Sequence, residues 1–210
     1  MKDAVIVDGV RTPSGNHGGA LRPLLAKELL ALVFKGILER TKIDPASIDE
    51  VIAGCIAQPS DAPNIARVAA LMAGVPKETP ALTVARNCNS GMDAIVEAWR
   101  RIQLEEGSIY LVGGVESMSN IPYIIKDARW GLKIRHSQLT DGLWEGLTDP
   151  FCLKTVGYMA AFCTDNPALI VSSCVICSLA TSCPATFLII STGTISSLNL
   201  PVRVAANAFL

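Results

Sequence analysis

An excess of basic charge is missing from this chain. Its 210 residues carry 18 Lys and Arg against 19 Asp and Glu, a net charge of -1. No basic face therefore points to nucleic acid or to an anionic membrane as a partner. Histidine is almost absent, with His17 and His136 the only two. Two histidines in separate loops are poor material for a zinc site, and no metal is expected. The first residues, "MKDAVIVDGVRTP", put only Lys2 and Asp3 before a short apolar run and hold no cleavage-like site. They read as a first strand and not as a signal peptide. Seven cysteines at irregular spacing suit reduced thiols in a cytoplasmic setting better than a disulfide framework.

Charge is also unevenly spread. Residues 161–210 hold one cation, Arg203, and one anion, Asp165, together with four of the seven cysteines; Asn166 to Val202 has no charge at all. Two differently composed stretches meet near Ala160. Half of all residues are hydrophobic, enough for a sizeable core.

Before that junction, strand-like and helix-like segments alternate. "DAVIVDG" (Asp3–Gly9) is β-branched and leads into a loop with Pro13, Gly15, Gly18 and Gly19. "AKELLALVFKGILERT" repeats apolar residues at Leu29, Leu32, Val33 and Ile37, as a helix does. Asp44 is placed to cap a turn with Pro45 at its first position. "VIAGCIA" (Val51–Ala57) is a second strand, "NIARVAALMAG" a helix closed by Gly74, and "PALTVAR" a third strand. "SGMDAIVEAWRRIQLEEG" is a helix and "SIYLVGGV" a fourth strand. This alternation predicts a parallel-sheet α/β unit. From Glu116 to about Tyr158 the period is lost, as in an excursion that serves a binding site.

Cys88, in "TVARNCNSGMDAI" (Thr83–Ile95), stands where β-formers give way to helical pattern. In the helix that follows, Met92, Ile95, Val96, Trp99 and Ile102 share one face, expected to bury against the sheet. Cys88 then lies just before the first turn, beyond a strand's carboxyl end, where open α/β sheets bind ligands. Helix N-terminal amides stabilise a thiolate and can receive an oxyanion, and Ser90 with Gly91 is expected to keep the approach open. Cysteine is also among the most buried and inert of residue types. On the residues alone both readings stand, nucleophile and packed thiol.

"TVARNCNSGMDAI" resembles the acyl-enzyme signature of the thiolases. Other segments match in order: "AVIVDGVRTPSGNHGGAL", "NIARVAALMAGVP", "LVGGVESMSNIPY", "ARWG", "DGLWEGLTDPF" and "GYMA". Departures exist inside the match: Asn89 stands where the family mostly has Gly, Ala or Ser, and Ala85 where Asn or Ser is common. Asn89 could narrow the space beside the thiol.

The resemblance implies the thiolase N-terminal half: a mixed, five-stranded sheet with helices on its faces (residues 1–117), then part of a loop domain (118–160). It implies an acyltransferase in which Cys88 takes an acyl group from acyl-CoA. Condensation with a second acetyl-CoA, or thiolysis of a 3-ketoacyl-CoA, follows. Coenzyme A thioesters are substrates and no bound cofactor is implied. Leu147 and Met159 match positions that touch substrate or line its tunnel, though each is apolar and suits core packing nearly as well. Glu116 and Ser117 match the family and read as structural. The complete fold implies a homodimer or tetramer, with the loop domain meeting the CoA pantetheine and helping to form the tetramer.

The family's acid–base chemistry also needs a Gly-His-Pro histidine, a Cys-x-Gly cysteine and an Asn-Glu-Ala-Phe segment; none occurs in these residues. His17 and His136 read as loop histidines. The implied reading is a truncated chain, inactive alone in condensation or thiolysis. The alternative is a non-catalytic product, frame-shifted or completed by a partner chain. A decarboxylating condensing enzyme would share the cysteine, but "ARWG" and "GLTDPF" favour thiolase.

Residues 161–210 lack helix caps, amphipathic period and charge and read as a non-family tail, out of frame or disordered. Pro167–Ser191 is uncharged and long enough to span a membrane, but its serines, threonines, cysteines and two prolines disfavour insertion. "CVIC" (Cys174–Cys177) has redox spacing without a strand-then-helix context. "TFLII" is β-prone and uncharged, an aggregation hazard if left free.

Overall fold

In the computed structural model, the residues described are 3–132, 134, 136–155 and the segment 185–191. Five strands form one mixed sheet: β1 (Ala4–Arg11), β2 (Glu50–Gly54), β3 (Ala81–Val84), β4 (Ile109–Gly114) and β7 (Ala185–Ser191), in the order β1-β7-β4-β2-β3. Strands β2, β3 and β4 run parallel, and β7 is antiparallel to both of its neighbours, β1 and β4. The all-parallel reading holds for the three strands joined by helices. The mixed, five-stranded sheet implied by the resemblance describes the whole.

Strand β7 comes from the stretch read as a tail without elements. Ala4 pairs with Ser191 and Arg11 with Ala185 on one side, while Ile109 pairs with Ile190 and Gly114 with Ala185 on the other. The β-prone "TFLII" segment thus lies within the sheet, where strands on both sides take up its backbone donors and acceptors. Ile189 is 3% exposed there.

Helix α1 (Ala26–Thr41) spans the sixteen residues its periodicity predicts, and Lys42 ends it in the left-handed region. Its inward face differs in detail: Leu29, Leu30, Val33, Phe34 and Ile37 are buried, whereas Leu32 points out. The Asp44 side chain accepts the Ala46 N–H over a short 3-10 turn at Pro45–Ser47. Helix α2 (Ile65–Met72) is capped by Asn64 and followed by Gly74 at φ 90°, a conformation that favours glycine. Helix α3 (Ser90–Gln103) ends four residues short of the predicted segment, which Glu105 breaks with φ 61°.

Period-two alternation sorts the strands between two cores. Val51 and Ala53 of β2 and Ile109 and Leu111 of β4 pack with α1 and α2 on one face. Ile52, Tyr110 and Val112 pack with Ala94, Ala98 and Ile102 of α3 on the other, and Ile189 joins them. The expected buried face of α3 is corrected in part: Ile102 is buried and Ile95 packs against this core as expected, whereas Met92 and Trp99 turn outward. Its sheet-facing stripe is Ala94–Ala98–Ile102, and small alanines let the helix lie close to the strands. Met92 and Trp99 are 42% and 47% exposed.

The aperiodic region after β4 folds into short pieces: β5 (Tyr123–Ile124) pairs antiparallel with β6 (Thr140–Asp141), and α4 (Gly142–Gly146) packs on both. Among the described residues no helix is long and apolar enough to cross a membrane.

Candidate active site

Strand β3 stops at Val84 and α3 starts at Ser90. Cys88 lies in the turn between them, half-buried, with no disulfide partner. Asn87 before it has φ 46°, a left-handed backbone that asparagine tolerates better than most residues with a Cβ. The Asn89 N–H donates to the Arg86 carbonyl at 3.1 Å and the Ser90 N–H to the Asn87 carbonyl at 3.0 Å. Asn89 occupies the N-cap without a side-chain capping bond.

Strand β2 brings Gly54 beneath this turn. A Cβ there would stand 2.4 Å from the carbonyl carbon of Ser90 and 2.6 Å from the Gly91 nitrogen, so only glycine permits the approach. Helix α3 consequently begins over the carboxyl ends of β2 and β4, with its positive dipole end beside the Cys88 turn. Around Gly91 no neighbouring heavy atom of the described residues lies within 4 Å of where a Cβ would be. Ser90 is different: it is 4% exposed and its hydroxyl turns back into the loop. Gly91 alone fits the expectation of an open approach.

A second, half-buried carboxyl group stands at the ends of β2 and β4. Glu116, just past β4, accepts the Ile56 N–H at 2.9 Å and the Ala57 N–H at 3.2 Å, and the Cys55 Sγ lies 3.9 Å from its carboxylate. These bonds curl the chain away at the end of β2, so the strand predicted to reach Ala57 ends at Gly54. Burial pushes the Glu116 carboxyl above its ordinary range, against the opposing pull of the backbone N–H groups. Burial, followed by the Glu116 charge, pushes the Cys55 thiol up to about 12. Cys55 is thus the packed, inert thiol. Ser117 accepts the Asn120 side-chain amide, which also bonds the Arg22 and Leu24 carbonyls, fastening the first loop to this segment.

Leu147 is half-buried at the C-cap of α4. It belongs to the β5–β6–α4 unit, whereas Cys88 belongs to the sheet and α3. Asp149 beyond it accepts the Cys152 and Phe151 N–H groups, which hold its carboxyl below the usual range. His17 and His136 are both exposed, in separate loops. Met159, the rest of "GYMA" and the "CVIC" stretch lie outside the described residues.

Residues 4–168 match the family model of the thiolase N-terminal domain. The chain belongs to the thiolase family. A probable acetyl-CoA acyltransferase of Staphylococcus epidermidis is 41% identical over 152 residues, which are 72% of this chain and 39% of that protein. The human mitochondrial 3-ketoacyl-CoA thiolase is 40% identical over 151 residues, 71% of this chain and 38% of the relative. The chain therefore spans about two-fifths of the length of these curated relatives. Among solved structures, the human mitochondrial 3-ketoacyl-CoA thiolase superposes with a TM-score of 0.83 at 24% identity, covering 95% of this chain and 68% of that one. The Bacillus anthracis acetyl-CoA acetyltransferase gives 0.79 at 26%, with the same coverage of each. The human enzyme has also been solved in complex with CoA, with a TM-score of 0.80. The thiolase α/β fold is thereby established for this chain.

Three features of the site escaped sequence reasoning: the Gly54 contact, the inward Ser90 hydroxyl, and an ion pair of 3.0 Å between Arg86 and Asp93 across the turn. Only the last carried a signal, a cation and an anion either side of the helix start.

Proposed function

We propose that Cys88 is the acyl-accepting nucleophile of a CoA-dependent acyl transfer. The carrying observation is its place in the turn before α3, at the carboxyl ends of the parallel strands, in a chain of the thiolase family. Its thiolate attacks the thioester carbonyl of an acyl-CoA. A bond from Cys88 Sγ to the carbonyl carbon forms, the bond to the CoA sulfur breaks, and CoA leaves as its thiolate, which takes a proton from solvent. Amides at the start of α3 stabilise the thiolate and the passing oxyanion. By resemblance to the family, Leu147 and Met159 are the positions assigned to contact with the acyl-CoA; the thioester is substrate, with no bound cofactor. Names of the relatives, acyltransferase and 3-ketoacyl-CoA thiolase, support this substrate class and a place in fatty acid metabolism. A cytoplasmic setting fits Cys55, Cys88 and Cys152, none of which is in a disulfide among the described residues.

These residues carry the acyl-accepting step alone. No Gly-His-Pro or Cys-x-Gly motif occurs among the 210 residues, so the groups that the family resemblance implies for the thiol proton and for condensation are not among them. The half-exposed Met92 and Trp99 on the side of α3 away from the sheet favour a half-fold completed by a partnering half, within a homodimer or tetramer.

Incubation with acetyl-CoA followed by peptide mapping tests the reading. Acetylation is expected at Cys88 and absent in Cys88→Ser, without acetoacetyl-CoA formation. An unmodified Cys88 would remove the nucleophile assignment, and steady acetoacetyl-CoA production would remove the single-step assignment.

A further inference from the structure

Ser90 takes no part in the acyl transfer described above, yet its hydroxyl is committed on both sides. Its Oγ accepts the Arg86 N–H at 2.8 Å and donates to the Asn87 carbonyl at 2.6 Å. The Ser90 N–H donates to that same carbonyl at 3.0 Å. One residue, 4% exposed, therefore grips the chain both before and at Asn87. Between these grips Asn87 is held at φ 46°, a conformation uncommon for residues with a Cβ. A strained residue of this kind persists where its surroundings over-determine it.

From beneath, Gly54 fixes the height of Ser90 through backbone contact, since a Cβ would approach its carbonyl carbon to 2.4 Å. Above, the Arg86 guanidinium meets the Asp93 carboxylate of the first turn of α3 at 3.0 Å. Cys88 is the residue enclosed by this strap. A relaxation of Asn87 to negative φ would swing the Cys88 backbone and redirect its Sγ. We propose that Ser90 is a positioning residue for Cys88: its hydroxyl locks Asn87 in the left-handed region and so sets where the thiol points. The proposal rests on Cys88 being the acyl acceptor and adds the means by which it is presented.

Iodoacetamide labelling of the full chain, resolved by residue with mass spectrometry, tests it. Exposed Cys152 serves as a rate reference and buried Cys55 as a reporter of unfolding. Ser90→Ala is expected to slow Cys88 alkylation by about tenfold relative to Cys152, the loss of two neutral hydrogen bonds, with Cys55 still protected. Glycine adopts positive φ freely, so the double variant Ser90→Ala, Asn87→Gly is expected to recover most of the rate. An unchanged or faster Cys88 in Ser90→Ala overturns the proposal, as does a slowed rate that Asn87→Gly fails to restore. Should Ser90→Ala expose Cys55, the near-isosteric pair Ser90→Thr and Ser90→Val decides. Retention of the rate by threonine alone supports the strap, and equal rates remove it. Acetyl-CoA labelling of the unaltered chain reports separately on the acyl-acceptor reading, because it can fail while Ser90 still governs alkylation.

Discussion

Gly54 and Ser90 touch backbone to backbone: a side chain on the glycine would begin 2.4 Å from the serine's carbonyl carbon. Through that contact the end of a parallel strand and the start of α3 share one position, and the Cys88 turn inherits it.

Gly54→Ala should therefore be costly although it adds one methyl group. Both atoms it meets are backbone and cannot rotate aside, so a loss of about 1–3 kcal/mol is expected. Urea unfolding of the two chains checks this, together with faster alkylation of Cys55, the next residue along. An unchanged urea midpoint would contradict the contact.

The pH dependence of stability should carry a signature of Glu116. Burial raises its folded-state pKa, so its contribution is fully present below the unfolded-state value and is lost as pH rises through the folded value. From this group the chain gains stability between about pH 7 and about pH 5. Glu50, raised chiefly by burial against the lowering effect of Arg101, acts in the same direction. Asp149, held low by backbone N–H groups, acts in the opposite direction. Comparison with Glu116→Gln isolates the first. The glutamine variant should gain less between the two pH values, and equal gains would exclude Glu116 as a source.

Ile189 reports on the inner strand. Trimming it to alanine should cost about 2–5 kcal/mol, as for any buried isoleucine. It should also loosen the amides of β1 and β4 in hydrogen exchange. If the 185–191 segment lay free of the sheet, the substitution would leave both measurements untouched.

The outer side of α3 should govern association. With Met92 and Trp99 half-exposed, oligomers are expected in gel filtration. Met92→Ser with Trp99→Ser should shift the elution toward monomer while changing stability by under about 1 kcal/mol. An unaltered profile would place the sticky surface elsewhere, with exposed Trp130, Ile134 and Phe151 as the next candidates.

Much of this architecture was legible in the sequence because local rules and the final fold agree. Helix α1 begins and ends where its period does, and Asp44 and Pro45 form the turn their chemistry favours. Cys88 was legible as a junction residue, since β-formers meet helix formers there. Legibility failed where a third element intervened. The stripe through Met92 and Trp99 is a sound amphipathic pattern, but the sheet selects the alanine stripe beside it, where the backbones can come close. Strand β2 was read three residues too long because the carboxylate that bends its end, Glu116, lies some sixty residues further on. The Ser90 strap depends on the rotamer of one hydroxyl, which no pattern of residue types records. Strand β7 was hidden for another reason: its uncharged surroundings offered no caps or turns to mark its ends.

The position of β7 also sets an order of events in time. Its partner β1 is made first, and the residues it pairs with follow roughly 180 positions later. At about 5–20 residues per second, β1 emerges from the ribosome on the order of ten seconds or more before β7, its neighbour among the described strands, exists. Until then β4 also presents an unpaired edge. The nascent sheet is therefore open at its middle, and a chaperone that shields strands would have its work concentrated in that interval.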